Sequence, residues 1–173
     1  MAISLYDISI STYLQVLGGV AGVLAKGAEY AGENDLDLSE VVETRLRPDM
    51  LPFRFQVISV AHHSSGALEG IRQGVFQPPP SMPDLDYTGL QNLVDNAINN
   101  LKDATREEID ALEGNSVTFK MGKVEIPFTT ENFVLSFSLP NLLFHATTTY
   151  DILRMAGVPL GKLDFLGEMR VGT

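Results

Sequence analysis

Residues 142–167 read LLFHATTTYDILRMAGVPLGKLDFLG, a run that holds one histidine, His145, and breaks at Gly157 and Pro159. Thr130 upstream supplies an N-cap, so the spacing predicts a helix over about Glu131 to Ala156, closed by a glycine C-cap and a proline that cannot continue it. The positions three, four and seven away from His145 include Ser138, Asn141, Thr148 and Thr149, together with Leu142 and Ile152. They form a narrow polar stripe on a helix otherwise built for burial. Buried polar groups must be paired, so the stripe either packs as satisfied core polar atoms or faces a cavity.

Upstream of this helix, SVTFKMGKVEIPF (116–128) alternates apolar and polar residues around Gly122, the pattern of a small β-hairpin. Thr105 and Glu108 have capping-box spacing, and so do Thr88 and Gln91, which open a third helix carrying Leu90, Val94, Ala97 or Ile98, and Leu101 on one side. A proline-rich connector, QPPPSMPDLDYTG, separates it from a second long helix over about Phe53 to Arg72. Residues 4–31 read as the first, with Tyr6, Ile10, Tyr13, Leu17, Val20, Leu24 and Ala28 on its inner face. Four long helices with one hairpin between the third and fourth predict a mainly α, antiparallel four-helix bundle, one domain over residues 1–173.

Composition excludes several functions. The 173 residues include no cysteine, so disulfides, a thiolate nucleophile and cysteine-rich zinc sites are absent. Twelve basic against 22 acidic residues give a net charge of −10, the wrong sign for nucleic acid or anionic lipid. The start lacks a basic n-region, and the longest apolar or glycine run, Val16 to Ala25, is about half the ~20 residues of a membrane span. A cytoplasmic protein without a membrane or nucleic-acid partner is expected.

The chain has three histidines, and two are adjacent in ISVAHHSSGAL (58–68). Neighbouring residues on an α-helix are about 100° apart, which predicts that one of His62 and His63 enters a site and the other points elsewhere. A serine nucleophile in HHSS is disfavoured, because a mid-helix position offers neither a strained turn nor an oxyanion hole. A catalytic metal wants three protein ligands, and beyond two histidines the third would have to be Asp7, Asp49 or Glu69, none recommended by spacing.

The 142–167 run, with its Phe-His before a threonine-rich turn, YDILR, Gly157 and GKLDFLG, resembles an uncharacterised family of the DinB-like (DinB/YfiT-like) superfamily, classed only as a domain of unknown function. RLRPDMLPFRFQV (45–57) and YLQVLGGVAGVLAKGAEYA (13–31) extend the likeness over nearly the whole chain. It implies a DinB-like bundle, often dimeric, related to proteins that bind a divalent metal through histidines on helices two and four. His145 falls on the family's histidine, and VAHHSS (60–65) stands where the family tends to ASDTAK, which puts His62 at an acidic position and Ser65 at a basic one.

The resemblance also extends to fungal-type members in natural-product biosynthesis. The expectation is a cofactor-independent proton-transfer enzyme, an isomerase, lyase or cyclase of secondary metabolism acting on a small, apolar, oxygenated molecule. His62, facing inward on the resemblance, and His145 would be acid and base, Tyr13 and Asn141 would orient the substrate oxygen, and Phe55, Phe144, Thr149 and His63 would contact it. The alternatives are a metalloprotein holding nickel, zinc or iron on His62 and His145, and a non-catalytic binding or stress bundle. Leu5, Val16 and Val23 fall away from the inner stripe of helix one among glycines, and this strip predicts a symmetric homodimer.

Overall fold

The computed structural model describes residues 3–79 and 83–172. Four helical rods enclose one core. The first is α1 (Leu5–Ile8) and α2 (Ile10–Glu33), followed by the short α3 (Leu38–Glu43). The second is α4 (Phe53–Ala61), a π-helical turn π1 (His62–Gly66) and α5 (Ala67–Gln73). The third is α6 (Tyr87–Lys102), trailed by α7 (Arg106–Asp110). The fourth is α8 (Thr130–Phe133), a second π turn π2 (Val134–Ser138) and α9 (Leu139–Met155), with α10 (Lys162–Leu166) after it. Helix α2 packs on α6 and α9, and α4 packs on the same two, so the consecutive rods α2 and α4 lie across the bundle's diagonal.

The hairpin forms as its alternation requires. β2 (Ser116–Met121) pairs antiparallel with β3 (Val124–Thr129), from Ser116 opposite Thr129 to Met121 opposite Val124. A third strand, β1 (Val75–Phe76), adds to β2 in parallel with Phe76 opposite Phe119. Two residues are too few to show a periodicity, and the connector expected there hides it. Gly74 makes the strand possible: it ends α5 at φ +70°, a left-handed conformation that favours glycine, and turns the chain onto β2.

Two caps shift from expectation. Asp86, not Thr88, starts α6, its carboxylate accepting the Gly89 N–H at 2.7 Å. Thr129, not Thr130, caps α8, and the buried Thr130 hydroxyl instead donates to the Asn115 carbonyl. Thr105 caps α7 as its spacing predicts.

The π turns give rods two and four their character. A π turn widens the helix by one residue and disturbs the local backbone pairing. Nearby hydroxyls supply extra bonds. Ser64 donates to the Val60 carbonyl at 2.7 Å, and Ser138, on π2, reaches across the bundle to donate to the His63 carbonyl at 2.7 Å. Because that proton is committed, the Tyr13 hydroxyl on α2 is the donor in its 2.8 Å bond to Ser138 Oγ. Three rods are thus tied at one buried point.

The strip on the first rod is covered by the chain itself. Leu5 and Val23 are each 1% exposed, and α10 lies across α2 so closely that a Cβ on Gly19 would sit 2.4 Å from the Phe165 carbonyl oxygen. The sequence argument for a homodimer through Leu5, Val16 and Val23 therefore fails, since two of the three residues are core. By length and composition Leu5–Glu33 could also cross a membrane; in this fold its inner face packs on α6, α9 and α10.

Gly19→Ala is expected to destabilise the fold and loosen α10, whereas Gly22→Ala, in an open part of the same helix, should stabilise it by up to about 1 kcal/mol through helix propensity. Urea denaturation of the two variants should give shifts of opposite sign.

Candidate active site

All three histidines line one cavity of about 410 Å³, together with Phe55, Ser59, Phe76, Pro78, Pro79, Phe119, Phe137 and Asn141. The expectation that only one of His62 and His63 would enter the site is corrected. The π turn re-aims both rings, His62 stacking on Phe76 at 4.5 Å between centroids and His63 lying 5.4 Å from His62 and 5.8 Å from His145. Gly66 provides the room, since a Cβ there would come within 3.1 Å of His62 Nδ1.

Sheet and π2 supply the aromatic walls. Pairing of β1 with β2 sets Phe76 beside Phe119, and Phe137 packs against both at 6.1 and 4.8 Å. Phe55 on α4 stands edge-on to His145 at 5.7 Å. No carboxylate, lysine or arginine lines the space among the described residues.

Burial in these apolar surroundings pushes each imidazole pKa down from 6.5. His145 falls to about 4 through desolvation. His63 falls to about 3, by desolvation first and then by the neighbouring His62 and His145. His62 is lowered by desolvation, with the Gln77 backbone pulling weakly the other way. All three rings are neutral at physiological pH. His62 Nε2 and His63 Nδ1 are buried without a hydrogen-bond partner among the described residues.

The remaining expected residues divide. Asn141 lines the cavity, its amide N–H donating to the Phe137 carbonyl at 2.7 Å. Phe144 is 57% exposed and touches the His145 ring edge-on from outside the lining. Thr149 is buried with its hydroxyl donated to the His145 carbonyl, so it is not available to a ligand. Tyr13 is fully buried and committed to Ser138, and burial raises its phenol pKa further, which removes it as a group that could polarise a substrate.

Sequence reasoning missed Gln56, Phe76, Phe119 and Phe137. Gln56 accepts from His145 Nδ1 at 2.8 Å and is the one amide in the apolar run of α4, a signal that was present. Phe137 sits about two turns before His145 and was equally visible. Phe76 and Phe119 depend on the short third strand and gave no signal. A larger groove of about 670 Å³, between α2, α6 and residues 168–171, contains no histidine.

The family model for a domain of unknown function, DUF1993, matches residues 5–166. The chain belongs to the DUF1993 family. The fold of this DUF1993 protein is DinB-like: the crystal structure of a DinB family member from Shewanella denitrificans superposes with a TM-score of 0.77 over 98% of this chain and 95% of that one, at 22% identity. No curated protein matches the sequence.

The histidine-bound divalent metal that the DinB resemblance implies does not fit the residues of this DUF1993 protein. Although the three histidines line one cavity, no group of three histidine, aspartate or glutamate side chains is placed to hold an ion among the described residues, and His145 Nδ1 is taken by Gln56.

The buried histidines make stability pH-dependent. Their folded pKa values lie below the unfolded value of 6.5, so between these limits the unfolded chain binds more protons and stability falls as pH falls. Melting temperature should drop from pH 7 to pH 5, above the main carboxylate range, and His63→Phe should flatten that slope; an unchanged slope would contradict the buried neutral state.

Proposed function

We propose that this protein is a cofactor-independent enzyme that moves a proton between two positions of a small, apolar, oxygenated molecule, in an isomerisation, dehydration or cyclisation. The observation that carries the reading is a cavity with apolar walls into which three neutral imidazoles open, with two buried ring nitrogens that have no partner among the described residues. A buried polar atom without a partner costs about 1–3 kcal/mol, and a ligand hydroxyl or carbonyl in the cavity would recover it. The volume is within the range of small-molecule sites.

The same electrostatics narrow the substrate. With no cation in the lining and neutral histidines, a carboxylate or phosphate would enter without a counter-charge, so neutral phenols, hydroxyketones and lactones fit best. An imidazole lowered to about 4 is a weaker base than a free one, which favours an already acidified C–H or O–H, such as one between two carbonyls or on a hydroxylated ring. Once the proton has moved, the imidazolium and the substrate anion attract strongly in a low-dielectric site. The ring then returns the proton to a second atom, and nothing is consumed.

His145 is assigned as the base and His62 as the hydrogen-bond donor across the cavity, in the manner of a neutral electrophilic imidazole. Asn141, with its N–H already donated, offers a carbonyl oxygen to a substrate hydroxyl. Natural-product biosynthesis is the setting that such substrates suggest. A binding bundle packed solid around His145 is disfavoured by the cavity itself.

The test is a screen of neutral oxygenated aromatics for thermal stabilisation, followed by product analysis on the hits. His145→Ala and His62→Ala should each reduce turnover more than tenfold while the protein still folds. Turnover unchanged in both would refute the reading, and stabilisation by carboxylates alone would refute the substrate class.

A further inference from the structure

The geometry points to Gln56 as a positioning residue that fixes which nitrogen of His145 carries the proton, leaving Nε2 as the lone-pair nitrogen that faces the cavity. Gln56 is 2% exposed, and its side-chain amide lies between two fixed groups. Its Nε2 is 2.8 Å from the Leu51 carbonyl, and its Oε1 is 2.8 Å from His145 Nδ1. A carbonyl oxygen can only accept, so the NH₂ end must face Leu51 and the oxygen end must face the histidine. An amide oxygen can also only accept, so His145 Nδ1 must carry the hydrogen. Neutral imidazole has one hydrogen, and Nε2 therefore holds a free lone pair. Since His145 lines the cavity and Nδ1 is engaged, Nε2 is the nitrogen left for a ligand.

The choice of an amide has a consequence that a carboxylate would not share. A carboxylate behind the ring would orient it equally well but would favour the imidazolium, as the aspartate of a catalytic triad does. Gln56 orients the ring without adding charge, so His145 stays a neutral base. Leu51 anchors the amide from the segment preceding α4, next to the Pro52 N-cap, which places the control of tautomer outside the cavity lining.

The tautomer assignment stands independently of the enzymatic reading; only its effect on catalysis rests on that reading. Long-range ¹⁵N–¹³C correlation spectra of histidine-labelled protein distinguish a protonated ring nitrogen from a lone-pair one. In the wild type, His145 should show Nδ1–H and an unprotonated Nε2. Gln56→Glu keeps an acceptor behind Nδ1 and should keep Nδ1 protonated while raising the pH at which Nε2 takes up a second proton, whereas Gln56→Met removes the acceptor and should give a mixture of tautomers. An Nε2–H tautomer in the wild type, or an unmixed Nδ1–H in a folded Gln56→Met protein, would overturn the inference; should Gln56→Met not fold, the wild-type and Gln56→Glu spectra decide it. On a substrate, Gln56→Met should lower kcat about tenfold with KM little changed. A lost tautomer with undiminished kcat would leave the role of Gln56 intact and refute the proton-transfer reading.

Discussion

The bond from Ser138 to the His63 carbonyl is the constraint on which the site depends. It joins the two π turns directly, and Tyr13 completes it from the first rod, so one serine oxygen ties three of the four rods together. Two of its members are fully buried: Ser138 and Tyr13 are both 0% exposed. Breaking it would leave polar groups orphaned in the core, at a cost of about 1–3 kcal/mol for each. The phenol that the sequence offered as a catalytic group is therefore structural. Its hydroxyl holds Ser138, Ser138 holds the backbone of His63, and the His63 side chain is presented to the cavity.

Charge is what this arrangement keeps out. Phe55, Phe76, Phe119 and Phe137 surround the imidazoles, and among the described residues no carboxylate, lysine or arginine joins these neutral rings in the lining. No group of three histidine, aspartate or glutamate side chains is placed to hold an ion among the described residues, and no carboxylate among them lines the cavity. Neutral rings in an apolar space are suited to hydrogen-bond recognition of an uncharged oxygenated molecule. They also have lone pairs free across the whole physiological pH range.

Much of the bundle was legible because periodicity and capping are local. Four rods, the hairpin around Gly122 and the Thr105 cap could all be read from spacing. The polar stripe around His145 divides between its two readings: Asn141 joins His145 at the cavity, while Ser138, Thr148 and Thr149 are paired within the fold, and the partner of His145 is Gln56 on another rod. What could not be read were features set by tertiary contacts. The π turns leave no pattern in residue type, and without them the 100° rule placed His62 and His63 on different faces. Thr149 and Tyr13 looked available because their polar atoms are visible in sequence while the carbonyl and hydroxyl that engage them are not. The apolar strip on helix one was real, but its cover was the distant segment at Phe165.

In this fold π1 and π2 bring three histidines into one apolar cavity as neutral groups. A ¹⁵N NMR pH titration of the three imidazoles tests it most directly. His63 and His145 should remain neutral at pH 6.5, His145 protonating only near pH 4 and His63 near pH 3, and His62 should titrate below its ordinary value of 6.5. A normal titration of His63 or His145 near 6.5 in the folded protein would contradict it, because it would mean that the apolar walls do not desolvate the rings and do not hold them neutral.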